Sequence, residues 1–138
     1  MIIGSGFIIG GAYADFYEET GNLADEGIEK ADENYSYGDI DDPDNLANVP
    51  IYIFSGGSDD DVFPEKQEAQ RDFFEHYNAN VEFVQKADVG HDVPSIFYGD
   101  YCEEEDLPED ICTYDTMGAL FTHILPNLET GSVSVNTL

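Results

Sequence analysis

The chain has 138 residues, 41% of them hydrophobic and 13% aromatic, a composition that folds around a modest core rather than staying disordered. Its 31 acidic residues face 4 basic ones, for a formal charge of -27. That balance excludes nucleic acid as a natural partner, because phosphates are neutralised by basic surfaces, and it argues equally against an anionic membrane face. Such an excess repels itself and suits a saline or divalent-rich setting, since the screening length falls from about 10 Å at 0.1 M salt to about 3 Å at 1 M.

In chain order, residues 2–9 predict a buried strand that runs into a turn at Gly10-Gly11. The apolar stretch 2–13 is too short to span a bilayer, and no Lys or Arg precedes it as in a signal peptide. A helix is expected over residues 22–34, with Asn22 as cap and Leu23, Ile28 and Ala31 as its apolar contacts. Residues 35–48 form a turn-rich acidic connection broken by Gly38 and Asp42-Pro43-Asp44. Residues 49–54 are a β-branched and aromatic run ending at Ser55-Gly56-Gly57, the strongest strand signal in the chain.

Pro64 suits the first position of the next helix, and Glu65 suits the positive end of its dipole. Ala69, Phe73, Phe74 and Tyr77 share one face of that helix, which stops at Asn78-Ala79-Asn80. A short strand over 81–84 follows, then a long irregular stretch, 90–112, carrying His91, Cys102 and Cys112. Asp115 caps a final helix showing Leu120, Phe121, Ile124 and Leu125 before Pro126 stops it. Alternating strands and helices imply an α/β fold with a parallel sheet. About three strands are few for a sheet covered on both faces, so part of the domain is expected to be missing.

The chemistry concentrates behind two strands. Residues 50–61, Pro-Ile-Tyr-Ile-Phe-Ser-Gly-Gly-Ser-Asp-Asp-Asp, run from a strand through a Gly-rich turn into carboxylates. Residues 84–94 run from a strand into Gly90-His91. Functional groups of open α/β sheets sit beyond the C-terminal strand ends, and an acid there can orient and charge-stabilise a histidine. Acid after one strand and histidine after the next is the order of α/β-hydrolase triads. His76 and His123 lie mid-helix without such a pattern and are expected to be structural. Cys102 and Cys112 fit no metal motif; they are either a free pair or a disulfide in an oxidising compartment. Asn34-Tyr35-Ser36 is a sequon, which makes Asn34 a glycosylation candidate.

Five segments fall in one order: Gly4-Ser5-Gly6-Phe7-Ile8-Ile9-Gly10-Gly11-Ala12-Tyr13; Gly38-Asp39-Ile40-Asp41 with Asn45-Leu46; Ser55-Gly56-Gly57-Ser58-Asp59; Gly90-His91; and Cys112-Thr113-Tyr114-Asp115 with Gly118-Ala119-Leu120. Together they resemble the secreted polyhydroxybutyrate depolymerases and related feruloyl-esterase-like α/β-hydrolases, with Ala12 where that family usually has proline. The resemblance implies a partial α/β-hydrolase domain over 1–138, with Asp59 as triad acid, His91 as base and an irregular loop closed by a Cys102–Cys112 disulfide. Asp60 and Asp61 are neighbouring candidates for the acid. It further implies ester or polyester hydrolysis, secretion and no cofactor.

The family's Gly-x-Ser-x-Gly nucleophile elbow occurs nowhere in these 138 residues. Met1-Ile2-Ile3 begins inside an expected strand, so the nucleophile half and a signal sequence are expected upstream. The alternative is a short descendant of a hydrolase with another use. A second functional class fits the charge: a non-enzymatic acidic secreted matrix protein, binding calcium weakly and diffusely through residues 39–44 and 58–61, since no EF-hand loop is matched.

Overall fold

The computed structural model describes residues 4–8, 23–95 and 114–127. Its elements run β1 (Ser5–Ile8), α1 (Leu23–Tyr37), a 3-10 turn (Pro43–Leu46), β2 (Pro50–Gly56), α2 (Pro64–His76), β3 (Asn80–Lys86) and α3 (Thr116–Ile124). The three strands form one parallel sheet in the order β1-β2-β3. Ser5 pairs with Ile51 at one end of the first ladder, and Gly56 pairs with Lys86 at the end of the second.

β2 is the central strand of this sheet and is apolar on both faces. Ile51 and Ile53, with Val49, pack against Phe7, Phe74, Ala79, Val81 and Phe83 on the side of α2. Tyr52 and Phe54 point the other way, into Val84, Val89, Tyr114, Leu120 and Ile124 on the side of α3. A strand buried on both faces reads as a continuous hydrophobic run, which is why residues 49–54 are so legible. The Tyr52 hydroxyl, fully buried, shares a hydrogen bond of 2.7 Å with that of Tyr114. Burial, reinforced by that bond, pushes the Tyr52 phenol well above its ordinary range.

α1 lies on α2, with Ala31, Phe73 and Tyr77 buried between them. The Tyr77 hydroxyl donates to Asp32 Oδ1 at 2.9 Å. α1 runs three residues beyond the expected end and closes on Gly38 at φ 77, a left-handed position that glycine adopts without steric penalty. The Asp39 and Gly38 amides return to the carbonyls of Asn34 and Tyr35 at 3.0 and 2.9 Å, the paired closure that satisfies orphan helix carbonyls. Asn34 therefore sits in the last turn of α1. The acidic connection after it contains the 3-10 turn, capped by Asp42, whose Oδ1 accepts from the Asp44 amide at 3.0 Å.

α2 starts at Pro64 as expected, and Asn78 at φ 56 turns the chain out of it. β3 is longer than the four residues expected, because Asn80 and Gln85, the exposed polar residues on either side of 81–84, break the apolar run. α3 is capped by Asp115, which accepts from the Gly118 amide at 2.9 Å. Leu120 and Ile124 pack on the sheet, but Phe121 and Leu125 are 44% and 36% exposed, so the helix buries a narrower face than its sequence suggests. No described helix is long and apolar enough to cross a membrane. Cys102, Cys112 and the Gly10-Gly11 turn lie outside the described residues.

Candidate active site

β2 and β3 are parallel, so the loops that leave Gly56 and Lys86 emerge at the same, C-terminal edge of the sheet. The first loop carries Asp59, 2% exposed. Its Oδ1 accepts from the backbone amides of Asp61 and Val62 at 3.0 and 2.9 Å, a turn the carboxylate itself organises. The second loop carries His91. Its Nδ1 lies 3.2 Å from Asp59 Oδ1 and 3.1 Å from Oδ2. Burial pushes the Asp59 carboxyl up, but the amides of Val62 and Asp61 and the His91 ring outweigh it and hold the group below the usual carboxylate range. Hydrogen bonds to the charged form win over desolvation here.

The two loops meet backbone to backbone. The Gly57 amide donates to the Lys86 carbonyl at 2.7 Å, and the Ser58 amide donates to the Val89 carbonyl at 2.9 Å. A side chain at Gly56 would run into the Gly90 carbonyl oxygen and stand 2.6 Å from that of Val89; one at Gly57 would stand 2.7 Å from Ala87 Cα. The glycine pair is thus what lets the acid loop approach the histidine loop. Val89 anchors the second loop from below, buried with Tyr52, Phe54 and Leu120. The His91 side chain is 44% exposed, so Nδ1 engages the buried acid while much of the ring remains open to solvent.

Of the three neighbouring acids, Asp59 is the one paired with His91. Asp61 contributes its backbone amide, and Asp60 is exposed. The Ser58 hydroxyl donates to the Ala87 carbonyl at 2.7 Å, and the Ser55 hydroxyl accepts from Gln85 Nε2 at 3.3 Å. Both hydroxyls are engaged away from the histidine. His123 bridges α3 to β3, with Nδ1 3.0 Å from Glu82 Oε2 and Nε2 2.8 Å from the Asn80 carbonyl. His76 packs edge-on against Tyr77. Among the described residues no group of three or more His, Cys, Asp and Glu is placed to hold a metal ion. The interlocking carbonyls of Lys86, Ala87 and Val89 escaped sequence reasoning; the doubled glycine before the acid was the only trace of so close an approach.

No family model matches the sequence. Over 96 residues the chain is 30% identical to the poly(3-hydroxybutyrate) depolymerase of Delftia acidovorans, a match covering 67% of this chain and 19% of that protein. The fold superposes on a PHB depolymerase, with a serine replaced by alanine and complexed with R3HB trimer, at TM-score 0.72 and 23% identity, covering 96% of this chain and 47% of that one. The PHB depolymerase from Penicillium funiculosum gives TM-score 0.73 and 21% identity, covering 97% and 46%. The chain is related to the polyhydroxybutyrate depolymerases. It spans about half the length of these solved depolymerases. The likeness to the solved depolymerases is one of fold, three parallel strands with flanking helices.

Proposed function

We propose that this chain supplies the acid and the general base of a serine-type carboxylic-ester hydrolase acting on hydroxyalkanoate polyesters. The observation that carries the reading is the Asp59–His91 pair, a buried carboxylate on Nδ1 of a half-exposed ring at the C-terminal edge of a parallel sheet. In the proposed reaction His91 takes the proton of an attacking serine through Nε2 and later delivers it to the alcohol leaving group. Asp59 keeps the proton on Nδ1 and stabilises the imidazolium that forms. The named relatives, one of them complexed with R3HB trimer, favour a 3-hydroxybutyrate polyester over other esters as substrate.

The 138 residues contain no Gly-x-Ser-x-Gly, and an oxyanion hole draws a donor from the residue after the nucleophile. On this reading residues 1–138 are part of one α/β-hydrolase domain, inactive without a nucleophile-bearing half, and the protein works outside the cell. The test is to assay 3-hydroxybutyrate oligomers and p-nitrophenyl esters with the chain alone, and again after co-expression with the nucleophile-bearing half of a depolymerase relative. No turnover and no fluorophosphonate labelling are expected alone. Turnover that disappears on His91→Ala is expected with the partner. His91-dependent turnover by the chain alone, or a complemented enzyme indifferent to His91, would overturn the reading.

A further inference from the structure

We infer that Ser58 is a positioning residue that sets the register of the histidine loop against the acid loop, and so aims His91 at Asp59. The inference rests on the reading of that pair as acid and base. The two partners are not equally constrained. Asp59 is buried and its Oδ1 is gripped by two amides two and three residues ahead, so its position follows from its own loop. His91 is half exposed and held at Nδ1 by the carboxylate it must orient against. The freedom left in the pair therefore lies on the base side.

Three hydrogen bonds cross between the loops before His91 is reached. Two come from the backbone amides of Gly57 and Ser58, to the carbonyls of Lys86 and Val89, and persist whatever side chains stand there. The third is the Ser58 hydroxyl on the Ala87 carbonyl at 2.7 Å, and it depends on residue type. It falls between the other two along the histidine loop, so residues 86, 87 and 89 are all held from residues 57 and 58. Sliding one loop past the other breaks all three together. Removing the hydroxyl leaves two amide contacts whose acceptors, Lys86 and Val89, are three residues apart, about which the segment 87–91 can rock. Ser58 adjoins the acid directly, so the same residue ties acid and base loops at their closest point.

The experiment follows the ring of His91 by side-chain proton and nitrogen NMR in the full chain, as wild type, Ser58→Ala, Ser58→Thr and Asp59→Asn. Asp59→Asn marks the signal by abolishing the protected Nδ1 proton. Ser58→Ala is expected to speed exchange of that proton with water by about two- to tenfold, the factor a single net hydrogen bond supplies. Ser58→Thr, which keeps the hydroxyl, is expected to restore it. Signals of Ala31 and Tyr77, in the α1–α2 core, should stay unchanged throughout. If Ser58→Ala leaves His91 as in wild type, or moves Ala31 and Tyr77 equally, Ser58 has no positioning role. A protected Nδ1 proton that responds to Ser58, in a chain whose complemented form shows no His91-dependent turnover, would sink the hydrolase reading and leave the role of Ser58 standing.

Discussion

Asp59 follows a strand buried on both faces, whereas His91 follows a strand that is half covered and lies at one side of the sheet. β2 needs no help from charge: Ile51, Tyr52, Ile53 and Phe54 fill both layers of the core. β3 takes cover from one of the chain's four cations, with Arg71 of α2 lying 5.1 Å over the Phe83 ring, and its own Lys86 reaches out to lie 4.7 Å over the ring of Tyr114. Long basic side chains lay their stems on apolar surface while the charge stays wet, which suits a strand at the rim of so acidic a protein. The difference carries into the loops. A strand buried on both faces leads to an acid fixed by its own loop, and a half-covered strand leads to a base tied back to the acid loop. Order in the pair thus flows from β2 outward.

The sharpest way to break this comparison is to keep the shape of the acid and remove its charge. Asp59→Asn retains an oxygen to accept from Val62 and Asp61 but turns an amide toward Nδ1, so the wrong tautomer of His91 is favoured. In the complemented hydrolase a loss of about 10⁴-fold in kcat is expected, the size seen for the same change in a serine-protease triad. Steady-state kinetics on p-nitrophenyl esters measures it. Next in size is the contrast between strands. Phe54→Ala, at a fully buried site of β2, is expected to destabilise by about 3–5 kcal/mol, whereas Val84→Ala in half-covered β3 should lie well below that. Denaturant titration of both variants checks the ratio, and equal losses would show that β3 is as much a core strand as β2.

Smaller again is Gly56→Ala. The added methyl meets the Gly90 carbonyl oxygen, so either the strand end or the histidine loop must move. A loss of about 1–3 kcal/mol is expected, as for other overpacked sites, together with loss of the Asp59–His91 contact. Denaturation and the His91 ring signals report the two effects separately. Retention of the pair at wild-type stability would mean that the glycine is not what permits the close approach.

Much of this arrangement was legible in the residues, and the boundary of what was legible has physical causes. β2, the Pro64 start of α2 and the Asp115 cap of α3 are written in local chemistry: a β-branched run, a fixed φ, and a carboxylate three residues before a free amide. Asp59 and His91 stood out through strand–turn–acid and strand–loop–histidine order, helped by the depolymerase resemblance. Ser58 to Ala87 and His123 to Asn80 span 29 and 43 positions, and such side chain-to-backbone bonds leave no periodic trace. The exposure of Phe121 and Leu125 was equally invisible, since helical spacing shows which residues share a face but not how wide a face the sheet covers.

The smallest effect expected is a dependence on pH, and its sign separates Asp59 from the chain's other acids. The folded state holds this carboxyl below its usual range, because the Val62 and Asp61 amides and the His91 ring outweigh the opposing effect of burial. A carboxyl depressed on folding stabilises the protein at pH values above its unfolded value, ordinarily about 3.9, and that contribution fades as pH falls through the lower folded value. The stability owed to the depressed Asp59 carboxyl should therefore drain away below about pH 4. The background runs the other way. With a formal charge of -27, protonating the remaining acids relieves self-repulsion and favours the compact state as pH falls. A pH profile of the wild type alone mixes the two signs. The informative quantity is the gap between wild type and Asp59→Asn at each pH, measured by denaturant midpoint in about 1 M salt, where the Debye length is about 3 Å and the background is screened. The gap should narrow as pH falls below about pH 4. A gap that widens below about pH 4 would mean that the folded state raises the Asp59 carboxyl rather than lowering it, with burial prevailing over the two amides and the histidine.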